Sequence, residues 1–143
     1  MSMGITLYKI PNNTESKIDV VKSIFENNFI EFEELACFDN HRWIHNWFRQ
    51  HVIQNRILDS ASMFALVNKD DLLDFMDFCN LIIIDGYSKH IEDVYDFIRV
   101  RCGNTPSEIE ENIRQEIQIV LERIEYIFKY YGDEEIYLYS MDN

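Results

Sequence analysis

Hydrophobic residues alternate with polar ones near both ends of the chain and recur at helical spacing between them. Residues 5–10 and 136–139 alternate and are rich in side chains that favour strands. Residues 63–67 form a short apolar run, followed by a helix-capping asparagine, which predicts a buried strand. Because an isolated strand cannot satisfy its own backbone groups, we expect the two terminal strands to pair with each other or with the middle one.

Between these strands, five segments have the spacing of amphipathic helices. Asn68 followed by Asp71 is a capping box, and Gly86 is expected to end the same helix in a left-handed conformation. Thr105 and Glu108 flank a proline at the first helical position, the clearest helix start in the chain. The first predicted helix is capped by Thr14 or Ser16 and ends between Glu31 and Glu34, and the second runs from Asp39 or Asn40 to about Leu58. The other three cover residues 69–85, 88–102 and 105–131.

This order of elements predicts a helix-dominated α+β protein. We expect about five helices and a small sheet of two or three short strands that includes both termini. A chain of 143 residues fits one globular domain, covering residues 1–143. A hydrophobic content of 47% supports a packed core, and only four glycines and two prolines favour long helices over a many-stranded sandwich.

The charge of the chain restricts its partners. Twenty-six acidic and thirteen basic residues give a formal charge of −13. Direct nucleic-acid binding is not expected, because it needs a basic face, and attraction to an anionic membrane surface is equally unfavourable. No apolar run approaches the roughly 20 residues of a membrane span. Three widely spaced cysteines without a C-x-x-C pair are typical of reduced thiols, so we expect a cytoplasmic protein.

The segment 41–51 holds three of the four histidines and both tryptophans. His41 and His45 are four residues apart, so they share a helix face and are weak candidates for a metal site. They lack the glutamate of H-E-x-x-H, and no cofactor is expected. His51 falls on the apolar stripe with Phe48 and Val52, which predicts a buried histidine.

Basic residues recur every seven positions in and after this segment, at Arg42, Arg49 and Arg56. With His45 they are predicted to line a strip opposite the apolar stripe. Guanidinium groups suit phosphate oxygens, so this strip is a candidate site for a phosphate-containing ligand such as a nucleotide. The alternative is ion pairing with the acidic helices of the same chain, or a solvated face.

Carboxylates are concentrated on the third and fifth predicted helices. Such rows can bind a basic protein surface, or imitate a phosphate backbone in a nucleic-acid channel. The alternative is an ordinary solvated helix face. The candidate residues for a partner-binding acidic surface are Asp70, Asp74, Asp77, Glu111 and Glu122.

No catalytic signature is present. The chain lacks a G-x-S-x-G elbow, a P-loop and a G-x-G-x-x-G motif. Carboxylate pairs are too common here for their proximity to indicate a site. The sequence therefore predicts no catalytic residues, and an enzymatic activity is unsupported.

One motif resembles that of a known family. Ile44, His45, Trp47 and Phe48 match the helix pattern N-x-I-H-x-W-F of a family of small phage and prophage proteins of uncharacterised function. Residues 4–8 are similar to the family's opening strand, and residues 69–79 to a later helix. Arg42 stands where the family usually has Asn, and a Gly/Phe-rich segment is missing. The resemblance implies a phage-like origin and an α+β fold, and it supplies no activity.

These observations predict a small acidic phage-like protein that acts in the cytoplasm of a bacterial host by binding a protein. The expected partner is a host or bacterial protein with a basic surface, and the most concrete role is counter-defence or inhibition of a host factor. The alternative is a binder or enzyme for a phosphate-containing ligand, centred on His45 and the arginines. A third possibility is a homodimer formed through exposed aromatic residues.

Overall fold

The structure is a computed structural model, which describes residues 4–10, 32–39, 42–53, 57–59, 64–86, 89, 105–131 and 136–142. Three helices are described in these ranges, α1 (Arg42–His51), α2 (Lys69–Asp85) and α3 (Pro106–Tyr131). Five strands accompany them, β1 (Gly4–Lys9), β2 (Glu33–Asp39), β3 (Ile57–Asp59), β4 (Phe64–Asn68) and β5 (Ile136–Asp142).

The strands form one antiparallel sheet in the order β2-β1-β5-β4-β3. β1 and β5 pair along their whole length, with Gly4 opposite Asp142 and Lys9 opposite Tyr137. The predicted pairing of the two terminal strands is therefore confirmed. These strands lie inside the sheet, while β2 and β3 form its edges.

The helices cover one face of the sheet. Ile5 and Leu7 of β1 and Tyr137 and Tyr139 of β5 are at most 1% exposed, and they share one hydrophobic cluster with buried residues of all three helices. Their alternation along each strand places them on the same face. The opposite face carries a smaller cluster built around Leu138.

Helices α2 and α3 lie side by side and run antiparallel. The Lys69 Nζ at the start of α2 lies 5.7 Å from the ring centroid of Phe128, near the end of α3. At the other end of α2, a Cβ atom at Gly86 would lie 3.4 Å from the Glu110 carboxylate. The outward faces of the two helices therefore form one continuous layer over the sheet.

The predicted helix signals are present. The Asn68 side chain accepts a hydrogen bond from the backbone N–H of Asp71 at 2.9 Å. The Asp71 carboxylate in turn accepts one from the backbone N–H of Asn68 at 2.8 Å. Thr105 Oγ1 accepts from the Glu108 amide at 3.2 Å. Gly86 ends α2 with φ 84° and ψ 158°. The positive φ agrees with the prediction, but this ψ lies outside the left-handed helical region that we expected.

The α+β class is confirmed, and the described helices contain more residues than the strands. The predicted count of two or three strands is wrong, because the sheet has five. Strand β2 lies where a helix end and a loop were expected, and β3 lies where the second helix was expected to continue. Three helices are described rather than five; the predicted helices at 16–34 and 88–102 fall almost entirely outside the described residues.

Candidate functional site

Helix α1 packs most of its apolar side chains into the core and exposes its basic residues Arg42 and Arg49. Trp43, Ile44, Trp47 and Phe48 are buried. The rings of Trp47 and Phe48 lie with their centroids 5.2 Å and 5.0 Å from that of Phe75 in α2. Because these aromatic residues pack against α2 in the core, most of the family-like motif has a structural role.

His45 forms a buried polar pair with Tyr139 of the central strand β5. The histidine is 5% exposed, and its Nδ1 lies 2.7 Å from the Tyr139 hydroxyl, a hydrogen-bonding distance. Burial lowers the pKa of His45, and the positive charges of Arg49 and Arg42 lower it further. Burial also raises the pKa of Tyr139. Both groups are therefore neutral at neutral pH, and the pair anchors α1 to the sheet.

The environments of two histidines differ from those predicted. His45 was placed on an exposed strip, but it is buried. His51 was placed in the apolar stripe, but it is exposed; its ring stacks on Trp47 at 4.8 Å and its Nδ1 donates to the Trp47 carbonyl at 3.0 Å. His45 is buried because α1 buries the consecutive residues Trp43, Ile44 and His45, more than a single stripe, whereas His51 is the last residue of the helix and is exposed there.

The predicted arginine strip is described only in part. Arg42 and Arg49 are exposed on α1, while Arg56 and His41 lie outside the described residues. Burial of His45 opposes direct contact between its ring and a ligand. Within the described ranges, no group of three or more His, Cys, Asp or Glu side chains is arranged to hold a metal ion. The role of this strip in ligand binding stays a prediction.

The five candidate acidic residues are all exposed, at Asp70, Asp74, Asp77, Glu111 and Glu122. Since α2 and α3 are adjacent, their carboxylates lie on one helical layer. The row on α3 is interrupted, because Arg114, Gln115 and Ile119 are exposed between Glu111 and Glu122. The long helix therefore presents two acidic clusters and not one continuous rod of charge.

Apolar side chains are exposed in the same layer. Of the seven large hydrophobic side chains exposed in the described part of the chain, six lie on α2 and α3. None of these positions was predicted from the sequence as part of a binding surface. On α3 the available signal was a set of apolar doublets, in which the exposed residue is followed by one that is buried or half-buried. The six residues are Leu73, Leu81, Ile84, Ile119, Tyr126 and Tyr130.

A groove of about 610 Å³ lies between the edge strand β2 and the C-terminal half of α3. Arg123 connects its two walls: its Nη1 donates to the Cys37 carbonyl at 2.6 Å, and its guanidinium lies 5.7 Å from the Phe38 ring centroid. Beyond the groove, the Tyr131 hydroxyl donates to the Glu33 carboxylate. The end of α3 is thus fixed to the edge of the sheet.

No family model, curated protein or solved structure matches the chain. The resemblance to the phage and prophage family stays a prediction. Among the described helices, none has both the length and the apolar character needed to cross a membrane.

Proposed function

We propose that the protein acts by binding another protein through the outward face of α2 and α3, named here the acidic helical face. This face consists of the five exposed carboxylates described above and the six exposed apolar residues of the same two helices. The observation that carries the proposal is this mixture. Charge alone is typical of a solvated surface, whereas clustered exposed apolar residues mark sites of protein interaction.

The charge of this face indicates the partner's chemistry. Helices α2 and α3 together contain eleven acidic and four basic residues, a net formal charge of −7. Such a field attracts a basic surface and accelerates association with it. It also repels a second copy of itself, so a homodimer through this face is disfavoured. A basic protein surface is therefore the best-matched partner.

The resemblance to phage proteins makes a bacterial host the expected source of that partner. Inhibition of a host factor, or counter-defence, is the form of the proposal that fits a small acidic protein without catalytic motifs. Glu111 and Glu122 are eleven residues apart, which at about 1.5 Å per residue separates them by roughly 16 Å along the helix. Two acidic clusters at this spacing can contact two separate basic patches.

The proposal is tested by capture of partners from bacterial lysate with the intact tagged chain. A variant that combines Asp74→Asn, Asp77→Asn, Glu111→Gln and Glu122→Gln should lose the partner, and so should the unchanged protein at high salt. Arg114→Gln is the matched control, because it removes an exposed charge of opposite sign from the same face. It should keep or strengthen binding.

Three results would contradict the proposal. They are capture that is insensitive to salt, capture by the neutralised variant at the level of the unchanged protein, and no specific partner at low salt. All the substituted side chains are exposed, so each variant should fold normally. Circular dichroism should therefore show the same helix content for each variant as for the unchanged protein, and this control comes before the binding assay.

A further inference from the structure

We infer that the groove between β2 and α3 is the docking site for a basic segment of the partner protein. In this arrangement a Lys or Arg side chain lies between Glu34 and Glu122, and a neighbouring apolar side chain lies against Ile119 and Tyr126. The inference rests on the proposed function and specifies which part of the partner is recognised.

The two walls of the groove come from different elements. Glu34 and Ala36 belong to β2, and Ile119, Glu122 and Tyr126 belong to α3. The helix residues are spaced by three and four positions, so they project from one side of the helix. Ile119 is 45% exposed and Tyr126 is 54% exposed, and both glutamates are exposed. The groove thus combines an apolar wall with a carboxylate on each side.

Arg123 restricts what can occupy the groove. Its guanidinium already donates to the Cys37 carbonyl and lies over the Phe38 ring, so it is held within the protein. A partner strand that extended the sheet at this edge would compete with Arg123 for the Cys37 carbonyl. Recognition through side chains is therefore favoured over addition of a strand. The groove contains the carboxylates of Glu34 and Glu122 and one guanidinium, that of Arg123, so its net charge is negative.

Charge complementarity and the apolar wall together identify the occupant. A small inorganic cation would use the carboxylates but leave Ile119 and Tyr126 uncovered. The apolar surface also continues beyond the groove, since the rings of Tyr126 and Tyr130 lie with centroids 4.4 Å apart. Aromatic faces attract Lys and Arg side chains as well as apolar ones. A peptide segment that mixes basic and apolar residues covers both features.

Fluorescence anisotropy of a short labelled peptide that alternates arginine and leucine, added to the intact chain, tests this inference. Paired substitution Glu34→Gln and Glu122→Gln should weaken binding roughly fivefold, as expected for two partly exposed ion pairs. Tyr126→Ser should also weaken it. A companion peptide with serine in place of leucine should bind less tightly, and one with glutamate in place of arginine should not bind.

The matched control is the pair Glu108→Gln and Glu110→Gln, which removes the same charge from the other end of α3 and leaves the five carboxylates of the acidic helical face unchanged. These positions lie at least roughly 18 Å from Glu122 along the helix, about two screening lengths at physiological salt. The control should therefore leave peptide affinity within about twofold of the unchanged protein. Equal melting temperatures across the variants would confirm that differences in binding do not reflect unfolding.

The outcomes separate the two proposals. Equal weakening by the control pair and the groove pair, or equal binding of the leucine and serine peptides, would overturn the groove as the docking site while a basic partner remained supported. Binding of the glutamate peptide as tight as that of the arginine peptide would contradict the proposed function itself. Weakening confined to the groove variants would support both.

Discussion

Replacing Tyr139 with phenylalanine should lower the free energy of unfolding by about 1–3 kcal/mol, the usual cost of leaving a buried polar group without its partner. The substitution removes the hydroxyl 2.7 Å from His45 Nδ1 but keeps the ring, which packs 5.0 Å from that of Phe48. His45 is 5% exposed, so water cannot readily replace the lost partner. The removed oxygen leaves little empty volume, so the expected loss comes from the hydrogen bond and not from packing.

Urea unfolding followed by circular dichroism measures this effect directly. A melting temperature should fall by roughly 2–8 °C for each kcal/mol lost. Tyr139→Phe, His45→Leu and the double variant form a cycle, and the coupling energy between the two side chains should reach about 0.5–3 kcal/mol. A Tyr139→Phe protein within about 0.5 kcal/mol of the unchanged chain, or strictly additive effects in the cycle, would refute the reasoning.

Three further predictions concern local energetics. Burial, and then the charges of Arg49 and Arg42, lower the pKa of His45 below 6.5 in the folded chain. As the pH falls, His45 is therefore protonated in the unfolded chain before it is protonated in the folded chain. The free energy of unfolding should therefore fall as pH drops below 6.5 until the folded-state pKa is passed, and urea titrations of His45→Gln should lack this component. Asn68→Ala should cost about 1 kcal/mol in thermal unfolding, whereas Asn68→Ser should retain most of the stability; equal losses would exclude the cap as the cause. Gly86→Ala should cost about 1–3 kcal/mol in the same assay, since its φ of 84° disfavours a side chain, and no loss would show that the backbone relaxes there.

Local signals predicted the starts of α2 and α3 accurately. The capping box at Asn68 and the cap at Thr105 depend only on residues three positions apart, so no tertiary information was needed. Pairing of β1 with β5 was also predictable, because short strands need partners to satisfy their backbone groups. The five candidate carboxylates on α2 and α3 are exposed, whereas Asp71, the capping residue of α2, is buried.

The edge strands were not predictable in the same way. β2 has the sequence Glu-Glu-Leu-Ala-Cys-Phe-Asp, in which apolar residues are consecutive and acidic residues occupy both ends. Ala36 and Phe38 are buried while Glu33 and Glu34 are exposed, a pattern imposed by pairing with β1. β3 is only three residues long, and its segment continued a helical pattern. Formation of β2 depends on pairing with β1, which is distant in sequence, whereas β3 pairs with the nearby β4.

The histidines show why the candidate site could not be predicted from the sequence alone. Helical spacing predicts which residues are buried when a helix buries a single stripe. Helix α1 is ten residues long and buries half of them, Trp43, Ile44, His45, Trp47 and Phe48. The partner of His45 is 94 positions away, at Tyr139. Likewise, the groove unites β2 with the far half of α3, a juxtaposition that neither segment reveals by itself.

The central place of β5 has a consequence for the synthesis of the protein. β5 lies between β1 and β4, so it joins the two halves of the sheet. A nascent chain carries β1 from the start, but this strand cannot acquire its β5 partner until residues up to Asp142 have left the ribosome. At roughly 5–20 residues per second, that interval lasts several seconds or more. During it the inner strands are exposed to non-native pairing, so premature termination before β5 should yield an aggregating product rather than a smaller folded one.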